Sequence, residues 1–204
     1  MTWHSRLFAR AGYSIALIAR SKTSLKSLAD DIKLANQARP TQVDYFPVDS
    51  YSPQDITVAF TNIRARFPPA EFSIRTALFN VGAHAWGPFL SMEPEQIRGA
   101  MDTGVIGAFA FAREVILQFM ENDVNVDGAL GGKGKRGTLI FTGATASLRG
   151  NVTTSVFAAS KHAVRALSQS LAKEFGAKDI HVGACPINTN GVGVDFFRFV
   201  FRSL

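Results

Sequence analysis

Glycine and lysine residues come first among the groups that could do chemistry, because glycine-rich loops bind phosphate through backbone N–H groups. The richest cluster, residues 131–135, reads GGKGK, but its Gly132-Lys133 pair lacks the Ser or Thr that follows in a P-loop. Two further glycine pairs do not stand between a predicted strand and a following helix: Gly104/Gly107 and Gly191/Gly193. None of these glycines is predicted to cradle a phosphate.

Histidine and cysteine offer no better site. The single cysteine, Cys185, can form neither an internal disulfide nor a cysteine-based zinc cluster, which fits a reducing compartment and makes the cytoplasm the expected location. No metal site is predicted. The four histidines stand apart from one another in the sequence and are expected to be structural or solvated: His4, His84, His162 and His181.

Composition is that of an ordinary globular protein of 204 residues, with 47% hydrophobic and 19% charged residues, so a single domain is expected. The net charge of +6 comes from basic residues scattered along the chain, and nucleic-acid binding, which needs a basic stripe, is therefore not expected. The apolar stretch 104–119 is shorter than a membrane span and carries Arg113 and Glu114, so it predicts a core helix and no membrane association.

The elements that must position any site alternate between strand and helix. Short apolar runs predict strands at 14–19, 42–48, 74–79, 137–142 and 180–185. Apolar residues recur at helical spacing over 24–38, 53–67, 94–121 and 154–175, and residues 2–11 form a helix before the first strand. Near-continuous apolar strands are typical of a parallel sheet covered on both faces. The pattern predicts an α/β fold with a doubly wound parallel sheet in three layers, α/β/α.

Two segments point to a family. The first is Ala77-Leu78-Phe79-Asn80-Val81-Gly82-Ala83-His84; the second is residues 137–147, GTLIFTGATAS, followed by residues 157–163, FAASKHA. With residues 16–21 and Val48-Asp49, these motifs are similar in order and separation to the short-chain dehydrogenase/reductase family, over nearly the whole chain. The resemblance implies one Rossmann-like domain over residues 1–204, in which the first strand and its glycine-rich turn are missing.

The resemblance also implies a cofactor and the residues that would bind it. Asn80 is similar to the segment near the adenine ribose, and Asp49 to the aspartate that binds the adenine amine. Arg20 is similar to the position that pairs with a 2′-phosphate, because a guanidinium fork matches phosphate oxygens and no acid stands there to bind a free 2′-hydroxyl. NADP is therefore expected rather than NAD. Arg113 lies where the family often has a basic residue close to the cofactor. For each of these residues an ordinary turn or surface role stays open.

The catalytic positions depart from the family pattern. Lys161 matches the lysine of the Y-x-x-x-K motif, which binds the nicotinamide ribose and lowers the pKa of the tyrosine. The tyrosine position is Phe157, on the same helical face, and a phenyl ring has no proton to donate. The family serine, thirteen residues earlier, is Ala144, and the family asparagine of the fourth helix aligns with Gly104. Losing a positioned general acid costs about 10²–10⁴-fold in rate.

Four hydroxyl side chains near the vacated positions are candidates to replace the missing donor, although Ser and Thr are poor acids without a base, and capping and turn formation are their alternative role. They are Thr142, Thr145, Ser147 and Ser155.

Both ends of the chain depart from the family as well. The missing first strand would lie at the centre of the sheet, between strands 14–19 and 74–79, and unless another segment fills the gap it leaves unpaired backbone groups and poor stability. Residues 195–204, DFFRFVFRSL, show no sign of the family's substrate loop, last strand or helix. Two explanations compete: an incomplete version of a longer reductase, favoured here, and a genuine degenerate member.

The expected function is therefore an NADP-dependent oxidoreductase that transfers hydride between nicotinamide and a small carbonyl or alcohol, with its activity open because Ala144 and Phe157 replace the catalytic Ser and Tyr. The alternative is a non-catalytic relative that binds a nucleotide or a partner. A homo-oligomer is expected through the two long helices, 94–121 and 154–175.

Overall fold

A computed structural model describes residues 3–36, 41–83, 85–124, 134–186 and 196–203. The residues 125–133, His84 and the Gly191/Gly193 pair therefore lie outside the described part of the chain. The strands are β1 (Ser14–Ala19), β2 (Val43–Pro47), β3 (Phe72–Asn80), β4 (Gly137–Gly143), β5 (Ile180–Pro186) and β6 (Phe196–Ser203). The α-helices are α1 (Trp3–Arg10), α2 (Lys22–Leu34), α3 (Pro53–Arg66), α4 (Pro94–Met101), α5 (Gly107–Glu121) and α6 (Ser155–Phe175).

The predicted α/β architecture is confirmed. One six-stranded sheet has the order β2-β1-β6-β3-β4-β5, and β1–β2, β3–β4 and β4–β5 pair in parallel. Every residue of β1 is buried, with Ile15 and Leu17 facing a cluster under α1 and α2, and Ala16 and Ile18 facing the main core. This alternation is the reason for the continuous apolar run, since helices cover both faces of the strand.

The centre of the sheet departs from expectation. The Phe-rich segment 195–204, in which no family element is recognisable, contains β6, which lies antiparallel between β1 and β3 and pairs Ile18 with Phe197 and Asn80 with Phe196. It fills the position of the missing first strand. The physical reason is that β1 and β3 each present a row of backbone donors and acceptors toward this gap, and a sixth strand satisfies both rows.

Helix α5 accounts for the most apolar part of the chain. Phe111, Val115 and Phe119 are buried against α3 and the sheet, as the core-helix prediction requires. Within the described residues, one helical run, Pro94–Glu121, is long and apolar enough by length and composition to cross a membrane, and 44% of its most apolar window is buried. Length and composition therefore do not exclude a membrane span for this helical run. The packing of α5 in the core favours a core helix.

Candidate active site

Lys161 lies at the centre of the candidate site. It lies in the second turn of α6, is only 7% exposed, and its Nζ donates hydrogen bonds to the carbonyl oxygens of Val81 at 3.2 Å and Thr142 at 3.0 Å. Val81 directly follows β3, and Thr142 is the penultimate residue of β4. The ammonium therefore bridges the carboxyl ends of two neighbouring parallel strands, and the carbonyls compensate for the burial of its charge. Asn80, the last residue of β3, thus directly precedes a hydrogen-bond partner of Lys161.

An aromatic pair occupies the place where the sequence lacks a proton donor. The Phe157 ring, one helical turn before Lys161, has its centroid 5.9 Å from the Lys161 Nζ, within cation–π range. The ring also contacts Trp86, with the two centroids 5.6 Å apart and a 42° angle between the planes. Sequence reasoning missed Trp86, because this contact joins the loop after β3 to the start of α6 and leaves no local signal.

The four candidate hydroxyls differ sharply in their surroundings. Ser147 is buried, and its Oγ accepts from the backbone N–H of Ala144 at 3.0 Å, so it serves as a cap. Thr145 and Ser155 are exposed. The Thr142 hydroxyl is buried, and no hydrogen-bond partner is found for it among the described residues. Since buried polar groups are nearly always paired, Thr142 marks a place where a polar partner is missing.

Arg20 occupies the other end of the site. It follows β1, is exposed, and its guanidinium carbon lies 5.3 Å from the centroid of the buried Tyr51 ring. Next to it, Ser21 caps α2 by accepting from the Ser24 N–H at 3.2 Å. The Val48 N–H donates to the Ala19 carbonyl at 3.0 Å, and this bond holds the loop with the exposed Asp49 beside the end of β1.

The loop that carries Asp49 and Tyr51 is fixed by Asp55. Its carboxylate accepts from the Ser50 hydroxyl at 2.6 Å and from the Ser50 N–H at 2.9 Å, while the Asp55 N–H donates to the Oγ of Ser52, the residue that caps α3. The Ser50 hydroxyl is the main reason that the pKa of Asp55 is lowered from its ordinary value, against an opposing contribution from desolvation.

A groove of about 400 Å³ runs from Arg20 to the loop after β3, where it reaches Gly82, the residue after the Lys161 partner Val81. Arg20 and Trp86 line it, together with residues of the loop after β3 and of the helical run that begins with α4. Those other lining residues are Gly82, Ala83, Ala85, Gln96, Gly99, Ala100 and Thr103. Asp49, Asn80 and Arg113 do not line the groove. The Arg113 side chain is 73% exposed and lies 3.6 Å from Glu114, so the structure gives it a surface position on α5.

Gly104 lies in a π-helical turn, Asp102–Ile106, between α4 and α5. A side chain at this position would collide with the hydroxyl of Ser160, which is buried in α6 next to Lys161. The glycine that replaces the family asparagine thus permits close approach of α6, and the spacing of Gly104 and Gly107 was the sequence signal for it.

The described histidines contribute nothing to this site. His162 is exposed, and its Nδ1 lies 2.8 Å from the Ala158 carbonyl in its own helix. His181 is exposed on β5. In the part of the chain with described side chains, no group of three or more His, Cys, Asp or Glu residues is placed to hold a metal ion.

Comparison with known proteins decides the family. The sequence model of the short chain dehydrogenases matches residues 4–194, which is most of the chain. The chain belongs to the short-chain dehydrogenase family. The family predicted from Asn80, Lys161 and their neighbouring motifs is therefore confirmed.

Curated relatives of this short-chain dehydrogenase are named as reductases. It is 30% identical over 181 residues to an A-factor type gamma-butyrolactone 1′-reductase of Streptomyces virginiae, covering 87% of this chain and 62% of that protein. It is 24% identical over 178 residues to the human 3-oxoacyl-[acyl-carrier-protein] reductase, covering 87% of this chain and 65% of that one. The chain thus spans less than two thirds of the length of these curated relatives.

Solved structures share the fold. An alcohol dehydrogenase from the archaeon Thermococcus sibiricus, complexed with 5-hydroxy-NADP, superimposes with a TM-score of 0.76 at 17% identity, covering 94% of this chain and 72% of that one. A short chain dehydrogenase from Burkholderia cenocepacia in complex with NADP gives a TM-score of 0.72 at 19% identity, covering 90% and 66% of the two chains.

Proposed function

We propose that this short-chain dehydrogenase is an NADP-linked oxidoreductase that transfers hydride between the nicotinamide and a small carbonyl or alcohol. The observation that carries the proposal is the position of Lys161, buried at the junction of β3 and β4, where its partner Val81 directly precedes Gly82 of the groove that Arg20 also lines. Curated relatives of the chain are named as reductases, and structural neighbours were solved with NADP, which supports this cofactor.

The residues present fit the two ends of the cofactor. Arg20, at the rim of the groove, would bind the 2′-phosphate through charge-assisted hydrogen bonds, and Asp49 beside it would bind the adenine amine. Asn80 would lie near the adenine ribose, and Lys161 would bind the nicotinamide ribose. The Thr142 hydroxyl, on the residue whose carbonyl accepts from Lys161, is buried without a partner among the described residues. When bound, the nicotinamide supplies or accepts the hydride. Arg113, exposed on α5, is assigned no more than a weak electrostatic contribution.

The pyrophosphate, in the middle of the cofactor, would have fewer binding groups than the two ends. Among the described residues no glycine-rich turn joins a strand to a helix, and β6 occupies the sheet position that would carry it. A pyrophosphate bound here therefore lacks a cradle of helix N-terminal N–H groups. We expect an affinity for NADPH below that usual for the family.

Protonation of the substrate oxygen is the step for which the site has no positioned acid. Hydride addition to a carbonyl leaves an alkoxide that must be protonated, and neither Phe157 nor Ala144 can donate a proton or a hydrogen bond from its side chain. Lys161 is the cation near this point, and its buried ammonium stabilises negative charge that develops on the substrate oxygen. Turnover is expected to be slower by about 10²–10⁴-fold than with a positioned acid.

Restoring the acid tests the proposal. NADPH oxidation is followed with a panel of small ketones and aldehydes, for the natural chain and for the Phe157→Tyr/Ala144→Ser double variant. We expect slow turnover in the natural chain and a rise of about 100-fold or more in the double variant, with loss on Lys161→Ala in both. Binding of NADPH without turnover in either protein would contradict an oxidoreductase and leave a nucleotide-binding protein.

The quaternary structure is part of the same proposal. Val58 of α3 is exposed, and exposed apolar residues recur at helical spacing from the end of the π-helical turn through α5: Ile106, Phe109, Leu117 and Met120. An exposed apolar stripe of this kind is typical of a protein–protein interface, and we propose that it joins two copies of this single-domain chain. Sedimentation of the natural chain and of Phe109→Glu tests this; a monomeric natural chain would contradict it.

A cytoplasmic location is proposed from the single free cysteine, Cys185.

A further inference from the structure

We propose that the exposed indole of Trp86 is a stacking surface for a planar aromatic ring, so that the groove takes small aromatic carbonyls or alcohols in preference to saturated ones. This inference rests on the proposed function only in that it names the substrate class of the same groove. Trp86 is 59% exposed although it belongs to a site whose aromatic neighbour, Phe157, is partly buried. A large apolar ring left open on a groove wall is the usual mark of a ligand contact.

The rest of the groove wall leaves space for a flat ligand. Several of the residues that line it with Trp86 have no side chain beyond Cβ: Gly82, Ala83, Ala85, Gly99 and Ala100. The polar lining residues are Arg20, Gln96 and Thr103. The wall around the indole therefore offers little steric obstruction to a ring that lies flat against it.

The backbone that carries Trp86 is fixed on both sides. The preceding residue, Ala85, is buried in a small cluster with Ala100 of α4 and Val156 of α6. The following residue, Gly87, donates its N–H to the Thr153 carbonyl at 2.9 Å. A stacking surface held in this way loses little freedom when a ligand binds, so more of the contact energy contributes to affinity.

The Trp86 indole and the Lys161 ammonium have an aromatic neighbour in common. Phe157 is a neighbour of both, with its ring centroid 5.6 Å from the Trp86 centroid and 5.9 Å from the Lys161 Nζ. The stacking surface on Trp86 is therefore connected to Lys161 through one shared aromatic neighbour. Stacking between aromatic rings adds about 0.5–1.5 kcal/mol beyond burial, equivalent to about 2-fold to 13-fold in affinity.

The test uses Trp86 itself as the probe. In a Trp3→Phe background Trp86 is the single tryptophan of the chain, and its fluorescence is titrated with acetophenone, with correction for absorption by a free tryptophan derivative. Cyclohexyl methyl ketone, of similar size but saturated, is measured by competition. We expect saturable quenching and about 3-fold to 10-fold tighter binding of acetophenone. In competition assays with a fluorescent aromatic ketone, Trp86→Phe keeps this preference and Trp86→Leu abolishes it.

Phe89→Leu is the matched control, because Phe89 is an exposed aromatic residue of the same loop that does not line the groove. It should leave the preference unchanged. Equal affinities for the two ketones, or a preference that survives Trp86→Leu, would overturn the inference. A fluorescence response to NADP⁺ with none to acetophenone would also overturn it, since the stacking partner would then be a cofactor ring. Failure of NADPH to bind, with the ketone preference intact, would instead contradict the proposed function.

Discussion

The Nζ of Lys161 lies 3.0 Å from the carbonyl oxygen of Thr142, and the same ammonium donates to the Val81 carbonyl at 3.2 Å. One side chain of α6 thus holds together the ends of β3 and β4, which pair in parallel up to Phe79 and Phe141. Structure and proposed chemistry depend on the same group, because the charge that would bind a ribose also satisfies two carbonyl oxygens at the strand ends.

Removing the Lys161 ammonium should therefore destabilise the fold. Lys161→Met keeps most of the side-chain volume but leaves two carbonyl groups without their donor. We expect a loss of about 1–3 kcal/mol in the free energy of unfolding, measured by urea denaturation. Lys173→Met, at an exposed position of the same helix, is the control and should change stability by less than about 0.5 kcal/mol. A Lys161→Met variant as stable as this control would show that the two hydrogen bonds carry no stability.

Arg20 should determine the choice between NADPH and NADH. Charged hydrogen bonds of the kind assigned to its guanidinium contribute about 1.5–3 kcal/mol, so Arg20→Ala should weaken NADPH binding by about 10-fold to 100-fold and leave NADH binding nearly unchanged. Fluorescence titration of each cofactor measures the difference. Arg165→Ala, at an exposed position of α6, is the control for a general loss of positive charge. An equal loss for both cofactors in Arg20→Ala would contradict the 2′-phosphate assignment.

Acid should loosen the loop that supports Arg20. The pKa of Asp55 is lowered in the folded state by the Ser50 hydroxyl, so its ionised form stabilises the fold above the ordinary carboxyl pKa. This contribution is lost as the pH falls below about 4 and through the lowered value. The stability difference between the natural chain and Asp55→Asn should therefore shrink on acidification, as measured by urea unfolding at several pH values. A difference independent of pH would contradict the assignment.

Gly104 and Ser160 should be energetically coupled. Gly104→Ala brings a Cβ against the Ser160 hydroxyl, so the buried serine must change rotamer, at a cost of about 1 kcal/mol. In a Ser160→Ala background the collision disappears, and the better helix propensity of alanine should make the same change stabilising by about 0.5–1 kcal/mol. Unfolding of the four proteins of this double-mutant cycle measures the coupling; effects that add within about 0.3 kcal/mol would show that the contact is unimportant.

Much of this fold could be predicted from the sequence because its signals are local. The all-buried strand β1 is an uninterrupted apolar run, and the spacing of four between Phe157 and Lys161 places both on one face of α6. The pairing of β6 could not be predicted in the same way. Its partners, β1 and β3, lie far away in the sequence, and a Phe-rich segment contains nothing that specifies which strands it will join.

The residues of the candidate site also differ in whether a local sequence signal marks them. Lys161, Asn80 and Arg20 could be proposed from the sequence because each stands next to a strand or in a motif. Trp86 was missed because its contact with Phe157 depends on how two distant segments meet. The four candidate hydroxyls were indistinguishable in the sequence. Both Thr142 and Ser147 are buried, and hydrogen bonding separates them: Ser147 caps a turn, whereas the Thr142 hydroxyl has no partner among the described residues.

Thermal unfolding of the purified chain during titration with NADPH and with NADH tests the central claim most directly, because a ligand that binds only the folded state stabilises it by RT ln(1 + [L]/Kd) and so raises Tm more the more tightly it binds. The account predicts a concentration-dependent rise with NADPH, a smaller one with NADH at equal concentration, and loss of the NADPH effect in Lys161→Ala. An unchanged Tm at millimolar NADPH, for a chain that unfolds cooperatively, would contradict the assignment of the groove between Arg20 and Trp86 as a cofactor site.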